Sequence, residues 1–377
     1  FIPMPSFIDF WKVRGSWTMS KADTDVYATN NTYSISTNTW DDMTSASYPS
    51  TIRGKSVKPS TSKSYELGTM LTFFGKRLVL DAAYYNKYYY NRIVNATLSA
   101  ATGFSNTQVN SKEEYVRRGV EIQLSGDIIK TKDWAWNSTF NWALDRRYFA
   151  KLDPDFSSQK PWIKEGARTD YVTYADYEYD KEGNMIHEAG YPLLSKYSTH
   201  HGFSGPDWIW GWGNTVSYKD FTLSFTIDGR VGGVAYSKTN QSLWNTGAHI
   251  ESDNQWRYDE VVNGKKNYVG QGVKVVSGTV QYDSDGNITF DDRVFAPNDV
   301  EVSYEQYTRE YQANAYSARP QNYFKQTFFK LRDLSLTYQM PKSLCEKVRL
   351  KGATIGLVGQ NLLIWTKEFK YADPDVG

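Results

Sequence analysis

Apolar and polar side chains alternate along several segments of the chain, and this period of two limits what the chain can fold into. In the clearest segment, 133–145, alternate positions carry apolar side chains: Trp134, Trp136, Phe140, Trp142 and Leu144. The positions between them carry polar side chains: Asp133, Asn137, Thr139, Asn141 and Asp145. Because successive side chains of a β-strand point to opposite faces, this pattern predicts a strand with one apolar and one polar face.

Eight further segments predict strands, so we expect an all-β fold of about nine strands. Three alternate clearly and five alternate less regularly: 77–90, 116–125 and 221–230, then 8–20, 64–74, 207–219, 327–340 and 350–366. The alternation in segment 327–340 slips by one residue, which predicts a β-bulge near Arg332 and Asp333. No segment has a convincing amphipathic helical pattern.

The connections between the predicted strands alternate in length. Short turns follow Phe74, Gly126, Tyr218 and Met340, whereas long polar loops occupy 21–61, 91–112, 148–206 and 237–325. Outer-membrane β-barrels alternate short periplasmic turns with long extracellular loops in this way. The pattern therefore favours a transmembrane antiparallel barrel, and a soluble β-sandwich or propeller with large loops remains the alternative.

The composition agrees with a barrel and restricts the partners. The chain is polar on average, with a mean hydropathy of −0.61, yet 16% of its residues are aromatic. No apolar run approaches the roughly 20 residues that a transmembrane helix needs. The formal net charge of +1 argues against a globally basic, nucleic-acid-binding protein. The single cysteine, Cys345, excludes an internal disulfide.

The polar faces of the strands predict the wall of a water-filled lumen. The side chains that we expect on this wall are Arg77, Asp81, Lys87, Glu121, Asn137, Asn141, Asp228 and Arg230. Nine strands are too few to enclose a wide lumen, and bacterial single-chain barrels have even strand numbers. The chain is therefore expected to be part of a larger barrel.

Aromatic side chains in the long loops are candidates for ligand contacts, because aromatic faces suit both sugar rings and apolar peptide side chains. These residues are Trp40, Trp162, Tyr171, Tyr174, Trp244, Trp256 and Tyr258. Packing within the loops, or contact with another protein, is the alternative for each of them.

One loop has the composition of a calcium site, because carboxylate and amide oxygens surround a turn at Gly286. The candidate ligands are Asp283, Asp285, Asn287, Asp291 and Asp292. The alternative is a plain hairpin turn, which Asp-Gly and Gly-Asn pairs also favour. A near copy at 179–185 supports this alternative. Calcium in an extracellular loop is thus the one cofactor that the sequence suggests.

The sequence gives no positive support for an enzyme. It contains no nucleophile motif, no phosphate-binding loop and no Cys/His metal spacing. His200 and His201 are adjacent, and neighbouring residues of a strand point to opposite faces, so joint metal binding is awkward. An outer-membrane enzyme would need a catalytic constellation that the sequence does not show.

Four groups of segments resemble the SusC/RagA-like TonB-dependent transporters of the Gram-negative outer membrane. The first contains SYELG and FFGKRL, and the second contains RGVEI and WNSTFN. The third is GPDWIWGWGNT with IDGR, and the fourth is FKLRDLSLTY with GQNLLIW. They occupy, in order, 64–68 and 73–78; 118–122 and 136–141; 205–215 and 227–230; and 329–338 and 359–365. Each segment alone is weak evidence, but their order and spacing together are specific.

The resemblance implies a function as well as a fold. Members of this family form 22-stranded barrels with an N-terminal plug, and they import oligosaccharides or oligopeptides with a SusD-like lipoprotein lid. Residues 1–377 are then expected to be the C-terminal portion of the barrel, with the plug and the last strand outside this chain. Energy would come from the TonB complex through a segment that this chain lacks. A structural or adhesive barrel that transports nothing is the alternative.

Overall fold

The computed structural model describes residues 4–38, 41–53, 57–313, 319–347 and 349–375. The chain divides into two compact units, residues 1–169 and residues 170–377. Each unit contains an antiparallel sheet of long strands whose connections are alternately short and long, as the sequence predicts. None of the helices in the described ranges is both long and apolar enough to cross a membrane.

The first unit contains a meander of five long antiparallel strands. They are β1 (Ile8–Ala22), β2 (Ser60–Phe73), β3 (Leu78–Tyr90), β4 (Glu114–Lys130) and β5 (Trp134–Lys151). Each strand pairs with the next in the chain. Shorter strands and one 3₁₀ turn lie in the loops: Ser34–Ile35, Ala46–Ser47, Thr51–Ile52, Ile93–Thr97, Ala100–Thr102 and Asn106–Asn110.

The second unit contains four long antiparallel strands. They are β6 (Trp208–Tyr218), β7 (Phe221–Val231), β8 (Phe328–Gln339) and β9 (Thr354–Thr366), again paired in chain order. Ten shorter strands are described in its loops: Tyr171–Tyr177, Ile186–Glu188, Tyr191–Pro192, Leu194–Phe203, Val234–Tyr236, Val273–Ser277, Val280–Tyr282, Ile288–Asp291, Val294–Pro297 and Tyr323–Lys325.

The absence of helices was a wrong expectation. The loop between β7 and β8 contains α1 (Lys238–Thr246), α2 (Gln255–Asn263) and the short α3 (Tyr304–Thr308), and α4 (Lys342–Lys347) lies between β8 and β9. A π-helical turn and two 3₁₀ turns accompany them: Arg309–Ala313, Ile250–Ser252 and Pro320–Asn322. The sequence signal lay in the ends of the helices. A Ser or Asn caps the first turn of α1 and of α2, and a left-handed Gly follows the last turn.

Two strands are longer than the sequence predicts. The pattern places a turn after Gly126, but β4 continues to Lys130 and shifts its register between Trp136 and Asn137 of β5. The strand β5 also continues to Lys151, although the loop was expected to begin at 148. Irregular pairing at both places hides the period of two, which explains the error.

The predicted bulge is confirmed at Arg332. Against β7, Asp333 pairs with Thr226 whereas Leu331 pairs with Ile227, so Arg332 is the extra residue. Against β9, the register shifts at the same position. Because of the bulge, Lys330 and Arg332 lie on the polar face together with Asp333.

Candidate functional site

The candidate site begins with the polar face of the sheet in the first unit. Residues directly opposite each other in an antiparallel pair share a face. Asp81 pairs with Gln123, and Gln123 pairs with Asn141, so these three polar side chains form one row across β3, β4 and β5. Residues two apart on a strand share a face, which places Lys87, Glu121 and Asn137 on the same side. Five predicted wall residues are thus brought together.

Two ion pairs cross this polar face. Arg14 of β1 donates two hydrogen bonds to the carboxylate of Asp81, at 2.6 and 2.9 Å. Arg117 of β4 does the same to Asp145 of β5, at 2.5 to 2.9 Å. The planar guanidinium matches the two carboxylate oxygens, so these pairs hold side chains in a fixed orientation. The sequence pattern places Asp81, Arg117 and Asp145 on polar faces but does not show which charges pair, and it missed Arg14.

Two glycines of the family-like segments give these long side chains room. A Cβ added at Gly68 would lie 2.7 Å from the guanidinium carbon of Arg14. A Cβ added at Gly119 would overlap the phenol ring of Tyr85, which hydrogen-bonds to Asp145. The glycines in SYELG and RGVEI therefore let Arg14 and Tyr85 lie flat across the neighbouring strand.

Arg77 is at the end of the sheet rather than along its face. It precedes β3 by one residue, and its guanidinium donates to the carbonyl oxygens of Asp127 and Ile128, both at 3.0 Å. These bonds join the turn before β3 to the last residues of β4. The structure therefore gives Arg77 a turn-stabilising contact in place of the expected position along the wall.

The polar face of the second unit carries an ionic cluster, defined here as Asp228, Lys330, Arg332, Asp373 and Asp375. Lys330 is 2% exposed, and its ammonium contacts Asp373 and, at 2.7 Å, Asp375. Arg332 pairs with Asp228 at 2.7 Å and with Asp375 at 2.5 Å. The region of the bulge thus brings two cations to one strand carboxylate, Asp228, and to two carboxylates after β9, Asp373 and Asp375. These pairs tie the segment after β9 back onto the sheet.

The wall candidate Arg230 lies next to this cluster in sequence but has other partners. Its guanidinium donates to the carbonyl oxygen of Ser204 at 2.5 Å and to that of Gly232 at 3.4 Å. Arg230 therefore fastens the chain on either side of β6 and β7. Of the two predicted wall residues in this unit, Asp228 joins the ionic cluster and Arg230 holds loop backbone.

The loop aromatics are divided between buried and exposed positions. Trp244 of α1 is 9% exposed and stacks on His249, with ring centroids 4.1 Å apart. Trp256 and Tyr258 of α2 are 42% and 54% exposed. Three more are half-buried in the loops, and one lies outside the described residues: Trp162, Tyr171 and Tyr174, and then Trp40. Of the six candidates that the structure describes, Trp256 and Tyr258 are thus the two that expose much of their side chain.

The predicted calcium loop forms the turn between the strands Val280–Tyr282 and Ile288–Asp291. Oδ1 of Asp283 accepts hydrogen bonds from the backbone amides of Asp285 and Asn287, and its Oδ2 accepts one from the Asn287 side chain. Asp180 makes the same three bonds, to Glu182 and Asn184, in the near copy. The two loops therefore share one turn geometry.

The other candidate calcium ligands are also engaged. Asp291 accepts two hydrogen bonds from Arg293, at 2.9 and 3.0 Å, and Asp292 accepts one from the backbone amide of Thr279 at 2.7 Å. The described part of the chain contains no group of three or more His, Cys, Asp or Glu side chains placed to hold a metal ion. Calcium binding stays a prediction from the sequence.

His200 and His201 lie on the strand Leu194–Phe203 and have separate surroundings. His201 stacks on Tyr174 at 3.7 Å, whereas His200 meets the edge of Phe203 at 5.1 Å. Nε2 of His201 also lies 2.8 Å from the Thr199 hydroxyl. The two rings do not converge, as the sequence predicts for adjacent strand residues.

A buried tyrosine cluster in the loops of the second unit was missed. It comprises Tyr177, Tyr268, Tyr304, Tyr307 and Tyr311, whose neighbouring rings lie 4.7 to 5.9 Å apart. His187 is 1% exposed, and its Nε2 lies 3.1 Å from the Tyr307 hydroxyl. Its Nδ1 faces the carbonyl oxygen of Met185 and so carries the proton. Burial lowers the pKa of His187 and raises the pKa of Tyr311 to about 12.

A second missed feature is a buried ion network around Arg293. This side chain is 4% exposed and pairs with Asp291 and, at 2.7 Å, with Glu178. Tyr282 donates a hydrogen bond to the other oxygen of Glu178 at 2.6 Å. The network joins two loop segments that are 104 to 115 residues apart in the sequence, and no local pattern could have revealed it.

Comparison with curated proteins gives two similar TonB-dependent receptors from Formosa agariphila. Receptor P3 is 22% identical over 355 residues, which cover 85% of this chain and 31% of P3. Receptor P26 is 22% identical over 354 residues, which cover 84% of this chain and 31% of P26. The chain therefore spans less than a third of the length of these relatives. No protein-family model matches it.

Comparison with solved structures gives the RagAB peptide importer. Its "open-open" state matches with a TM-score of 0.67 and 17% identity, over the whole of this chain and 39% of the matched chain. A structure of the RagAB peptide transporter matches with a TM-score of 0.66 and 16% identity, at the same coverage. The fold is therefore that of part of this barrel, and the expected all-β antiparallel architecture is confirmed.

The resemblance predicted from the four groups of segments is confirmed by these comparisons. The similar proteins are TonB-dependent receptors and transporters, not enzymes. Together the sequence and fold likenesses indicate an outer-membrane β-barrel.

Proposed function

We propose that this chain forms part of the barrel wall of a TonB-dependent transporter that imports an oligomeric nutrient across the outer membrane. The observation that carries the proposal is the two-faced sheet. Ion pairs and amides line one face, and large apolar side chains remain exposed on the other. An apolar face suits lipid and a polar face suits a watery lumen. The fold of the RagAB importer supports the same arrangement.

The proposed cargo is an oligosaccharide or an oligopeptide, and the proposed partner is a SusD-like surface lipoprotein. Exposed side chains on α2 provide a surface that such a partner could contact, because Tyr258, Val261 and Val262 are 54%, 75% and 59% exposed. They are spaced three and four residues apart and so lie on one side of the helix.

Uptake by intact cells tests the proposal. Cells that carry the complete gene are compared with a gene deletion and with a TonB deletion, using fluorescent oligosaccharide and oligopeptide pools. Import that requires both the gene and TonB is the expected result. A structural or adhesive barrel would leave uptake unchanged in both deletions. Co-purification of a lipoprotein with the transporter from detergent extracts tests the proposed partner separately.

A further inference from the structure

A cavity of about 150 Å³ lies within the loops of the second unit. Its wall combines aromatic rings with amide and charged side chains, among them Asn240, Trp244, His249, Phe324 and Tyr371. Mixed apolar and polar walls of this kind are typical of sites for small polar ligands. None of these residues belongs to the ionic cluster or to the polar face of the sheet.

His249 is the best-defined group of the cavity. It is 3% exposed, its ring stacks on Trp244 at 4.1 Å, and the edge of Tyr371 meets it at 4.4 Å. Its Nδ1 accepts a hydrogen bond from the backbone amide of Glu251 at 3.1 Å. In a neutral imidazole the proton is then on Nε2. This N–H makes no hydrogen bond with a described residue, which leaves a buried and oriented donor for a ligand.

Further polar groups line the same cavity with their hydrogen-bonding capacity unused. The side chains of Glu251, Gln321 and Lys370 form no hydrogen bond or ion pair with the described residues, and all three border the cavity. They offer acceptors, donors and charges of both signs. The ring of Tyr371 is 38% exposed beside them and presents an aromatic surface.

We propose that this cavity binds one sugar ring of an oligosaccharide cargo, an inference that rests on the proposed import function. A sugar ring carries hydroxyl groups around its rim, which match imidazole, carboxylate and amide partners, and its C–H groups pack on aromatic rings. An apolar peptide side chain would leave the polar groups unpaired. A charged side chain of either sign would lie beside a like charge as well as an opposite one, since Glu251, Glu368 and Lys370 all border the cavity.

The test is an array of neutral oligosaccharides, with a matched random-peptide array, probed with the complete detergent-purified transporter. The variants Glu251→Gln and Tyr371→Ala change the cavity at exposed positions, and Ile250→Ala is the control. Ile250 is 72% exposed next to His249 and does not line the cavity. We expect oligosaccharide binding that each cavity variant weakens about tenfold, with Ile250→Ala unchanged.

Three results would overturn the inference: no oligosaccharide binds, the cavity variants bind as well as the wild type, or only peptides bind and lose affinity in the same variants. The uptake experiment separates this failure from failure of the import function. If TonB-dependent import persists while the array result is negative, only the sugar site is wrong. If wild-type import is independent of TonB, the import function is wrong whatever the array shows.

Discussion

The long strands leave large apolar side chains exposed, whereas the loops of the second unit bury side chains almost completely. On the strands, large apolar residues remain open: Trp17 and Leu67 are each 61% exposed, and Leu357 is 75% exposed. In the loops, Ile186 is 0% and His187 is 1% exposed. Most of the buried hydrophobic side chains of the described residues are therefore in the loops, and those on the long strands, such as Val116, Phe149 and Phe328, lie near strand ends.

This difference has a physical cause. A single layer of strands can bury neither face unless something packs against it. An exposed apolar face of this extent needs an apolar environment outside the chain, and a bilayer provides one. The loops of the second unit, in contrast, contain the tyrosine cluster and the Arg293 network, so their stability comes from contacts within the unit. The following predictions test this comparison.

The largest expected effect comes from deleting a buried loop side chain. Ile186→Ala should lower the free energy of unfolding by about 3 to 4 kcal/mol, because it removes buried methyl groups and leaves a cavity. The matched strand variant, Leu357→Ala, should cost less than about 1 kcal/mol. Lipid or detergent surrounds position 357 before and after the substitution, so no cavity forms. Thermal unfolding in detergent measures both. Equal losses would contradict the contrast between loops and strands.

The ionic cluster should be nearly as sensitive. Lys330→Ala leaves Asp373 without its buried cation and Asp375 with Arg332 alone, and we expect a loss of about 3 kcal/mol, since the two carboxylates are partly exposed. Lys325→Ala is the control, because its pair with Glu368 is long, at 3.8 Å, and exposed; we expect about 0 to 1 kcal/mol there. If both variants unfold at the same temperature, the cluster does not stabilise the unit.

The motif glycines give a smaller effect on the polar face. Gly119→Ala forces the Tyr85 ring to move and should cost about 1 to 2 kcal/mol. Gly15→Ala is the control, because the nearest atom to an added Cβ is 3.9 Å away. In a Tyr85→Ala background, the same Gly119→Ala substitution should cost almost nothing in a denaturation series. An equal cost in both backgrounds would mean that the ring is not what requires glycine.

The smallest effect is a pH dependence confined to the loops. Because burial lowers the pKa of His187 in the folded protein, the unfolded state takes up a proton first as pH falls. Stability is then complete above the ordinary histidine pKa of about 6.5, and it decreases by up to about 1.4 kcal/mol per pH unit below it. Relative to the intrinsic exchange rate at each pH, the hydrogen-exchange protection of residues 186–188 should fall below this pH in the wild type and not in His187→Gln. Identical pH profiles of the wild type and His187→Gln would show that His187 does not cause the pH dependence of loop stability.

The sequence predicts the strands well because their signal is local. The period of two places Asp81, Glu121 and Asn141 on one face, and the slip in phase locates the bulge at Arg332. The turn position of Arg77 was missed because alternation does not show where a strand begins. The partners of the ion pairs were missed because register between strands is not written in either strand alone.

The loops were predicted poorly because their contacts are distant in sequence. The hydrogen bond between His187 and Tyr307 joins residues 120 positions apart. Helices α1 and α2 are polar overall, so their apolar periodicity is weak, and only the capping Ser237 and Asn254 and the glycines after the last turn mark them. The carboxylates of the Asp-Gly-Asn turn indicated calcium, but the same residues also suit the hairpin that the structure shows.

The most direct measurement is the environment of two adjacent strand positions in the native outer membrane. In a background with Cys345→Ser, spin labels at Val120→Cys and Glu121→Cys report accessibility to oxygen, which concentrates in lipid, and to a water-soluble nickel chelate. The two-faced wall predicts lipid exposure at Val120 and water exposure at Glu121. Water exposure at Val120 together with lipid exposure at Glu121, or water exposure at both, would contradict the proposed barrel wall.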